Sequence, residues 1–551
     1  MSAVPPIDQS PVPYPPPIPE RWGGLFNSLR HELPREISRR ETGEPIREVE
    51  GTVPDDLNGD FLASGPVSFT VLGEPVNSWF DGQGGIHRVR INGGKVVAWS
   101  RIVRSDDYRQ AQKAGVMEVN HFNMNAHTVL PFQGARTFNT ANTQPMMWQD
   151  RLFAMYEGGL PVELSDRPLD SIHDTDFDGA VHKSEHLSAH YHYNRKRDTI
   201  LNYGLLPHLH LNCVKKRIDD TQLQLYTFPR QGPPTSLAKV DLPAYPWLHD
   251  FIVSERYALF LIPPVGIDLS RMMDDLGTLA DNYVWDSNGR TRLVVIDLND
   301  PGKAIANVLL DPGPGNDQGR FWLWHFANAY EKDGKLHADF ILYDDYESGV
   351  KDFVMSIHTK DYPRTVQPSR LVRSSVRLTN DSKVVDAKSF EIEVLADISS
   401  EFCRVSPRAF NREYRYIYMA AHSSVHASYN CLWDTLCKVD VVNKTAQRFT
   451  LGDEQIPSEP IFVPRRGGTD EDDGYVLTLV YDGTRDRSYL AVIASQALPS
   501  NGGTAEEPAE PIPLPPEALL ARIWIPVTVP ITFHRIFTGI GGGWPMMNED
   551  G

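Results

Sequence analysis

The sequence predicts an all-β fold of many short antiparallel strands, arranged as a propeller or a large barrel. From about Gly51 onward, apolar and β-branched runs are repeatedly broken by Asp, Asn, Gly or Pro, the pattern of strand, turn and strand. The 40 glycines and 43 prolines suit tight turns. Strands do not alternate with long amphipathic helices, which disfavours an α/β barrel or a doubly wound sheet. Propellers and barrels are favoured because they limit exposed sheet edges.

Five segments carry the strand pattern most clearly. FIVSERYALFLI turns at Ser254 to Arg256, RLVVIDL runs into the turn signal NDPGK, and EYRYIYMA alternates with period two. LCKVDVVNKTAQRFTL turns at Asn443-Lys444, and DGYVLTLVYDGTRDRSYLAVIAS pairs two strands around Asp482 to Arg487. Hairpins of this kind recur along the chain, so most of it is expected to form one β domain.

Three segments and the N-terminus depart from the strand pattern. Asp106 to Asn125 and Ser270 to Ala280 are predicted helical covers, and Leu498 to Glu517 is a predicted surface loop. Residues 1–50 are predicted to form a Pro-rich arm and lead-in, and residues 51–551 a single propeller domain.

Composition excludes several kinds of partner. A net charge of −18 and a pI near 5.5 argue against nucleic acid and against an anionic membrane surface. The longest apolar run, YALFLI, ends at Pro263-Pro264, so no transmembrane segment is expected and only a peripheral membrane contact remains open. The N-terminus lacks a secretory signal pattern, and no CxxC pair occurs. These features predict a cytoplasmic protein with reduced thiols at Cys213, Cys403, Cys431 and Cys437.

Four of the 18 histidines stand out by their surroundings. His249 in PWLHDFIVSERY, His325 in FWLWHFANAYE and His534 in VPITFHRIF lie in apolar or aromatic strands, and His190 in SEHLSAHYHYN precedes a polar turn. A buried imidazole needs a partner for each ring nitrogen, and a metal supplies one. A single such histidine is usually structural, but several in one chain indicate a shared ion. Their wide spacing fits ligands from separate blades and not a zinc finger or an HExxH helix.

Further motifs match one family in their order along the chain. They are GTVPDDLNGDFLASGP, WFDGQGGIH, MYEGGLPVEL, HDFIVSERY, HFANAYE, EFCRVSPR, KVD, EPIFVPR followed by EDDGY, and FHRIF. On these motifs, from about Gly51 to His534, the chain resembles the carotenoid cleavage oxygenases. That family includes retinal-forming enzymes, the retinoid isomerohydrolase and stilbene-cleaving relatives.

The resemblance implies a seven-bladed β-propeller, with a cap of loops and short helices over an axial iron site. It assigns Fe(2+) to four ligands, His190, His249, His325 and His534. It also assigns three carboxylates to positions behind the ligands, Glu157, Glu401 and Glu459. A carboxylate that accepts the distal N–H fixes the ring orientation and partly offsets the charge of the ion. The glycines of FDGQGG are expected to form a structural turn.

The implied reaction is cleavage of a C=C double bond of a carotenoid or apocarotenoid by O2, giving aldehyde or ketone products. The expected partners are O2 and an apolar conjugated alkene, and no organic cofactor is needed. Cleavage of a stilbene or phenylpropanoid is the alternative within the family, followed by retinyl ester isomerohydrolysis. From other classes, the pairs His190/His192 and His208/His210 leave a zinc-dependent hydrolase open, and a non-catalytic scaffold is the remaining possibility.

The chain departs from the family pattern in four places. SAHYHYN replaces TAHP at the first ligand, with His186 and His192 close by, and LASGP lacks the usual Arg. FDGQGG replaces FDGDGM, and TFHR replaces GFHG, so that Thr532 and Arg535 stand where glycines are usual. In a strand, Arg535 would point to the opposite side from His534. We therefore expect an intact metal site in altered surroundings, with the substrate least determined.

Overall fold

The computed structural model describes residues 36–539 except 38, 77, 125–136, 184, 209–219, 268–277, 347–368, 380–384, 424–432, 453 and 505–506. The strands up to the middle of the chain are β1 (Glu44–Pro45), β2 (Val49–Gly51), β3 (Gly59–Ser68), β4 (Thr70–Val71), β5 (Glu74–Pro75), β6 (Gln83–Asn92), β7 (Lys95–Ile102), β8 (Gln144–Trp148), β9 (Arg151–Met155), β10 (Val162–Leu164), β11 (Ser171–Asp174), β12 (His186–Leu187), β13 (His192–Asn194), β14 (Thr199–His208), β15 (Asp220–Pro229), β16 (Thr235–Leu242), β17 (Ile252–Val253), β18 (Tyr257–Ile262), β19 (Val265–Ile267) and β20 (Tyr283–Trp285).

The remaining strands are β21 (Arg292–Asp297), β22 (Ala304–Leu309), β23 (Trp322–Lys332), β24 (Lys335–Tyr343), β25 (Arg370–Leu378), β26 (Val385–Ala396), β27 (Ser400–Arg404), β28 (Tyr416–Ala421), β29 (Thr435–Asp440), β30 (Thr445–Thr450), β31 (Gln455–Pro457), β32 (Ile461–Pro464), β33 (Gly474–Asp482), β34 (Arg487–Ala494), β35 (Gly503–Thr504), β36 (Ile512–Pro513), β37 (Leu519–Trp524) and β38 (His534–Thr538). The helices are α1 (Asp106–Ala114), α2 (Leu279–Asn282) and the 3-10 turns Trp79–Asp81, Pro407–Ala409 and Ser495–Ala497. None of the described helices is long and apolar enough to cross a membrane.

Seven sheets of four to six strands form the blades of a β-propeller, which confirms the predicted fold class. Blade 1 contains β1, β3, β6, β7 and β38; blade 2, β8 to β11; blade 3, β12 to β16; blade 4, β17, β18, β21 and β22; blade 5, β23 to β26; blade 6, β27 to β30, β35 and β36; and blade 7, β2, β31 to β34 and β37. The ribbons β4-β5 and β19-β20 lie outside the blades. The inner-edge strands of neighbouring blades lie next to one another around the axis. Examples are β38 with β8, β17 with β23, and β23 with β27.

Both ends of the described chain meet in blade 1. β38 pairs antiparallel with β3, with His534 opposite Ser64, and β1 pairs with the outer strand β7. In blade 7, β2 likewise pairs with β37 near the C-terminus. The pairing of β38 with β3 closes the ring, because it joins the last strand of the described chain to the blade that contains the first strands. The other two pairings cover sheet edges that would otherwise be unpaired.

Blade packing explains why the central strands are apolar at every position. All six residues of β18 are buried. Ala258 and Phe260 belong to the core between blades 3 and 4, whereas Leu259 and Leu261 belong to the core between blades 4 and 5. Successive side chains of a strand point to opposite faces, so a strand between two neighbouring blades must be apolar on both.

The five predicted strand and hairpin segments are confirmed by β17-β18, β21, β28, β29-β30 and β33-β34. Helix α1 occupies the first part of the predicted Asp106 to Asn125 cover, and the Ser105 hydroxyl caps it by accepting from the Tyr108 N–H. In the second predicted cover, α2 begins only at Leu279, and residues 270–277 lie outside the described part. The predicted loop from Leu498 contains β35 and β36, which extend blade 6.

The predicted glycine turn in FDGQGG is confirmed only at its start, where the Gly82 N–H donates to the Trp79 carbonyl and ends a 3-10 turn, whereas Gly84 and Gly85 lie inside strand β6. A Cβ atom on Gly84 would lie 2.1 Å from the Ala141 carbonyl oxygen. The glycine is therefore required by the close approach of a neighbouring backbone and not by a turn.

We expect Gly84→Ala to lower the free energy of unfolding by about 1 to 3 kcal/mol, since the new methyl group overlaps a main-chain oxygen that has little freedom to move. Gly302→Ala is the matched control, because no atom lies within 4 Å of its added Cβ. Chemical denaturation of both variants measures the difference. Equal stability of the two variants would contradict the packing described for β6.

Candidate metal centre

Four histidines from different blades meet at the axis. His190 lies between β12 and β13, His249 precedes β17, His325 lies in β23, and His534 is the first residue of β38. All four are buried, and one ring nitrogen of each lies within 4.8 Å of those of the other three. His249 Nε2 lies 2.9 Å from His190 Nε2 and 3.2 Å from His325 Nε2. The structure thus brings together the four histidines singled out in the sequence.

Three glutamates lie behind these histidines. Glu157 Oε2 accepts from His249 Nδ1 at 2.7 Å, and Glu401 Oε2 accepts from His325 Nδ1 at 2.6 Å. Glu459 Oε1 accepts from His534 Nδ1 at 3.0 Å. Each carboxylate requires a proton on Nδ1, so the Nε2 of the same ring carries a lone pair directed toward the cluster.

This arrangement fits a cation. The lone pairs of His249 Nε2 and His325 Nε2 face each other at 3.2 Å, which is repulsive between neutral rings unless a positive charge lies between them. Two nitrogen ligands at right angles around an ion, with bonds of about 2.1 Å, lie about 3.0 Å apart. The observed separations of 2.9 and 3.2 Å match that geometry.

The centre receives one residue from every blade. Blades 1, 3, 4 and 5 provide histidines, and blades 2, 6 and 7 provide glutamates. Glu157 of blade 2 pairs with His249 of blade 4 and so reaches past blade 3, whereas the other two pairs join adjacent blades. A shift of any blade would therefore displace either a ligand or the carboxylate that orients one.

His190 is held in a different way. Its backbone N–H donates to the Ser188 hydroxyl at 3.0 Å, and among the described residues no carboxylate forms an ion pair with its ring. The neighbouring His192 lies outside the cluster, with Nε2 2.9 Å from Asp250 Oδ1. Asp250 Oδ2 accepts from the backbone N–H of Phe326, so this carboxylate connects blades 3, 4 and 5. The sequence motifs contained Asp250, but nothing in them separated it from a surface aspartate.

Burial is the largest single influence on the pKa values of His190, His325 and His534. It lowers the pKa of His190 well below its usual range, and it lowers that of His534 to about 3 although Glu459 acts in the opposite direction. Burial also opposes protonation of His325, but the adjacent Glu401 outweighs it and raises that pKa. Neutral imidazoles at His190 and His534 are the form that binds a metal ion.

Glu459 has a more crowded environment than the other two glutamates. Its Oε1 accepts from both His534 Nδ1 and Arg404 Nε, the latter at 2.8 Å, and its Oε2 accepts from the backbone N–H of Arg535 at 2.9 Å. The Arg535 side chain is 1% exposed and donates to the Glu459 carbonyl and to Thr532. The unusual bulk at Thr532 and Arg535 thus forms a buried hydrogen-bonded unit beside the last ligand.

An aromatic cleft opens onto the histidines. His249, His325 and His534 line it together with apolar and aromatic side chains, Trp79, Phe80, Phe122, Trp324, Phe402, Trp433, Ile531 and Phe533. A second, mainly apolar cavity shares Phe402, Trp433 and Ile531 with it. The polar residues Thr143, Tyr156, Glu157 and Glu401 also line the cleft, and the Tyr156 hydroxyl lies 3.2 Å from Thr137 Oγ1.

Comparison with known proteins agrees with this architecture. The family described as Retinal pigment epithelial membrane protein (RPE65) matches residues 36–539. The chain is 29% identical over 462 residues to the apocarotenoid-15,15'-oxygenase of Synechocystis sp., covering 82% of this chain and 88% of the relative. It is 25% identical over 466 residues to resveratrol cleavage oxygenase 1 of Botryotinia fuckeliana, covering 81% and 77%.

The solved structure of cobalt-substituted Synechocystis ACO superposes with a TM-score of 0.76 at 23% identity, covering 95% of this chain and 99% of that one. The fold and the family match together define the class, and the chain belongs to the RPE65 and carotenoid cleavage oxygenase family. That family contains carotenoid-, apocarotenoid- and stilbene-cleaving oxygenases, which confirms the enzyme class expected from the motifs.

We expect His325→Ala to abolish stoichiometric metal binding, because the site has no spare donor to replace the lost nitrogen. His337→Ala is the matched control from the same blade, since His337 bonds to Ser375 and lies outside the cluster. Elemental analysis after metal loading gives the stoichiometry, and circular dichroism verifies the fold. A folded His325→Ala protein that retains a full equivalent of metal would remove His325 from the site.

Proposed function

We propose that the protein binds one Fe(2+) through His190, His249, His325 and His534 and cleaves a C=C double bond of a carotenoid or apocarotenoid with O2. Both oxygen atoms enter the products, which are two carbonyl compounds. The observation that carries this proposal is the convergence of imidazole nitrogens beside an aromatic cleft. In this proposal Glu157, Glu401 and Glu459 orient the ligands.

Redox chemistry favours iron over zinc at this site. Imidazole binds zinc, copper, iron and nickel, so the donors alone do not select the ion. Zinc has no redox chemistry, whereas cleavage of an alkene by O2 requires a redox-active centre. The candidate ligand group contains no carboxylate or lysine, which also disfavours the zinc-dependent hydrolase. When bound, iron would supply the activation of O2.

The protein's own contribution is positioning and exclusion of water. The glutamates fix the tautomers of three ligands before any ion arrives. The aromatic walls hold a planar conjugated chain against the side of the cluster formed by His249, His325 and His534. A desolvated site of this kind keeps reactive intermediates from water, and its shape determines which double bond lies beside the histidines.

The extent of the apolar lining favours a long substrate. A second, mainly apolar cavity adjoins the cleft at Phe402, Trp433 and Ile531. In this proposal a carotenoid or apocarotenoid chain uses both cavities, whereas a stilbene needs only the first. The carotenoid preference also follows the similarity to the apocarotenoid oxygenase.

Stilbene cleavage is the second candidate, and one observation favours it. Tyr156 lines the cleft and carries a hydroxyl of the kind that bonds a phenol, and one relative is named for resveratrol cleavage. A site built to bond a hydroxyl group rejects analogues that lack it. Tyr156→Phe therefore separates the two candidates, because it should impair stilbene turnover and leave a hydrocarbon carotenoid unaffected.

The cellular and domain assignments follow from the same features. We infer that residues 51–551 act as one catalytic domain, because every blade contributes to the centre, and that residues 1–50 are a lead-in whose last part adds β1 and the start of β2 to blades 1 and 7. We further infer a cytoplasmic enzyme, with access to apolar substrates through at most a peripheral membrane contact. These inferences rest on the composition of the chain and the position of the site.

We expect the iron-loaded protein to convert an apocarotenal or carotenoid under 18O2 to two labelled carbonyl products. A hydroxystilbene assayed in parallel should react more slowly. Mass spectrometry of products, with anaerobic and His325→Ala controls, measures the outcome. Labelled aldehydes from stilbenes alone would reverse the substrate preference, and no cleavage of either class by the iron-loaded protein would contradict the oxygenase assignment.

A further inference from the structure

The three glutamates behind the histidines differ in the charges around them. Among the described residues, neither Glu157 nor Glu401 forms an ion pair with an arginine or lysine. Glu459 forms one with Arg404, whose Nε and Nη2 both lie 2.8 Å from Oε1. The same oxygen accepts from His534 Nδ1, so Arg404 and His534 compete for one acceptor.

The hydrogen bonds from the histidine Nδ1 atoms to the carboxylates have the lengths expected from this competition. The distance from Nδ1 to the carboxylate is 2.6 Å at His325 and 2.7 Å at His249, but 3.0 Å at His534. A carboxylate neutralised by a guanidinium withdraws the Nδ1 proton less strongly, and the imidazole it orients is a poorer electron donor to a metal.

Arg535 places a second positive charge near the same residue, although its guanidinium does not contact the carboxylate itself. Its backbone N–H donates to Glu459 Oε2, and its guanidinium donates to the Glu459 carbonyl and to Thr532. Among the described residues it forms no ion pair of its own within 4.0 Å. The Arg535 side chain is 1% exposed and that of Arg404 31% exposed, so solvent screens Arg404 much more than Arg535.

The two arginines invert the formal charge of the centre. A dipositive ion with the carboxylates of Glu157, Glu401 and Glu459 sums to −1, and two guanidinium groups bring the total to +1. In a buried site, a positive charge destabilises the more oxidised form of a bound metal. A weakly donating His534 also disfavours the more oxidised form, so the added positive charge and the weaker donation both stabilise the reduced metal.

We propose that Arg404 and Arg535 are positioning residues that hold the bound iron in the ferrous state by neutralising Glu459 and weakening donation from His534. This inference rests on the proposed iron site. It assigns a function to the bulk at position 535, where the family pattern has glycine. Arg404 of blade 6 and Arg535 of blade 1 would thereby set the reduction potential of the ion through Glu459 of blade 7, while Glu157 and Glu401 keep His249 and His325 strongly donating.

The test is the Fe(III)/Fe(II) midpoint potential of the iron-loaded protein, measured by spectroelectrochemistry without substrate. Arg535→Met should shift the ratio of ferrous to ferric iron toward ferric by about tenfold, which for a one-electron couple is about 59 mV. Arg404→Met should shift it in the same direction, and Arg535→Lys and Arg404→Lys, which keep the charge, should restore most of the original potential.

Arg373→Met is the matched control. Arg373 pairs with the buried Asp339 through two hydrogen bonds of 2.7 and 2.8 Å, in the third strand of blade 5 and outside the cluster. It removes a comparable ion pair without changing the charge at the centre, so the potential should not move. Thermal unfolding and iron content verify that each variant is folded and loaded, and Arg535→Met keeps the Arg404–Glu459 pair intact.

The outcomes separate this inference from the proposed function. A potential that is unchanged in both folded, iron-loaded Met variants would overturn the role of the arginines and leave the iron site standing. An equal shift in Arg373→Met, or no recovery in the Lys variants, would also overturn it. A wild-type protein that binds no iron would overturn the proposed function and this inference together.

Discussion

The approach of imidazole nitrogens at the axis is the constraint on which the rest of the structure depends. Two lone pairs at 3.2 Å repel each other, and each is fixed in place by a carboxylate on the far side of its ring. A cation between the rings removes this repulsion. The blades, the buried glutamates and the aromatic cleft can all be understood as what is needed to hold and use that ion.

A propeller meets this constraint because its inner edges converge. Each blade is a sheet whose two faces are buried against its neighbours, so the blades cannot slide independently. Pairing of β3 with β38 closes the ring and also places His534 within reach of ligands that lie more than two hundred residues earlier in the chain. The whole ring of blades therefore positions the four histidines, whereas local metal-binding motifs position their ligands by short sequence spacings.

Much of this centre could be predicted from the sequence, for identifiable reasons. His249, His325 and His534 lie in apolar strands where an imidazole needs a partner, and the motif order identified His190 and the three glutamates. Apolar runs broken by turn residues predicted the hairpins, because a strand that is buried on both faces is apolar at nearly every position. The predicted glycine turn was wrong for Gly84 and Gly85, because a close backbone approach and a turn both demand glycine.

Contacts between blades could not be predicted. Nothing local shows that Glu157 reaches past blade 3 to His249, or that Asp250 links three blades. Arg404 looked like an ordinary charged residue, and Arg535 stood out only as bulk in place of a glycine, since their significance depends on a shared neighbour, Glu459, that lies far away in sequence. Such pairings depend on the order and tilt of the blades, which the sequence pattern does not encode locally.

X-ray absorption at the metal edge of the iron-loaded protein measures the number and type of ligands around the ion. We expect one iron per chain with four nitrogen ligands at about 2.1 Å and multiple-scattering features of imidazole rings. Coordination by sulfur, or by fewer than four imidazoles in a fully loaded and folded sample, would contradict the four-histidine site.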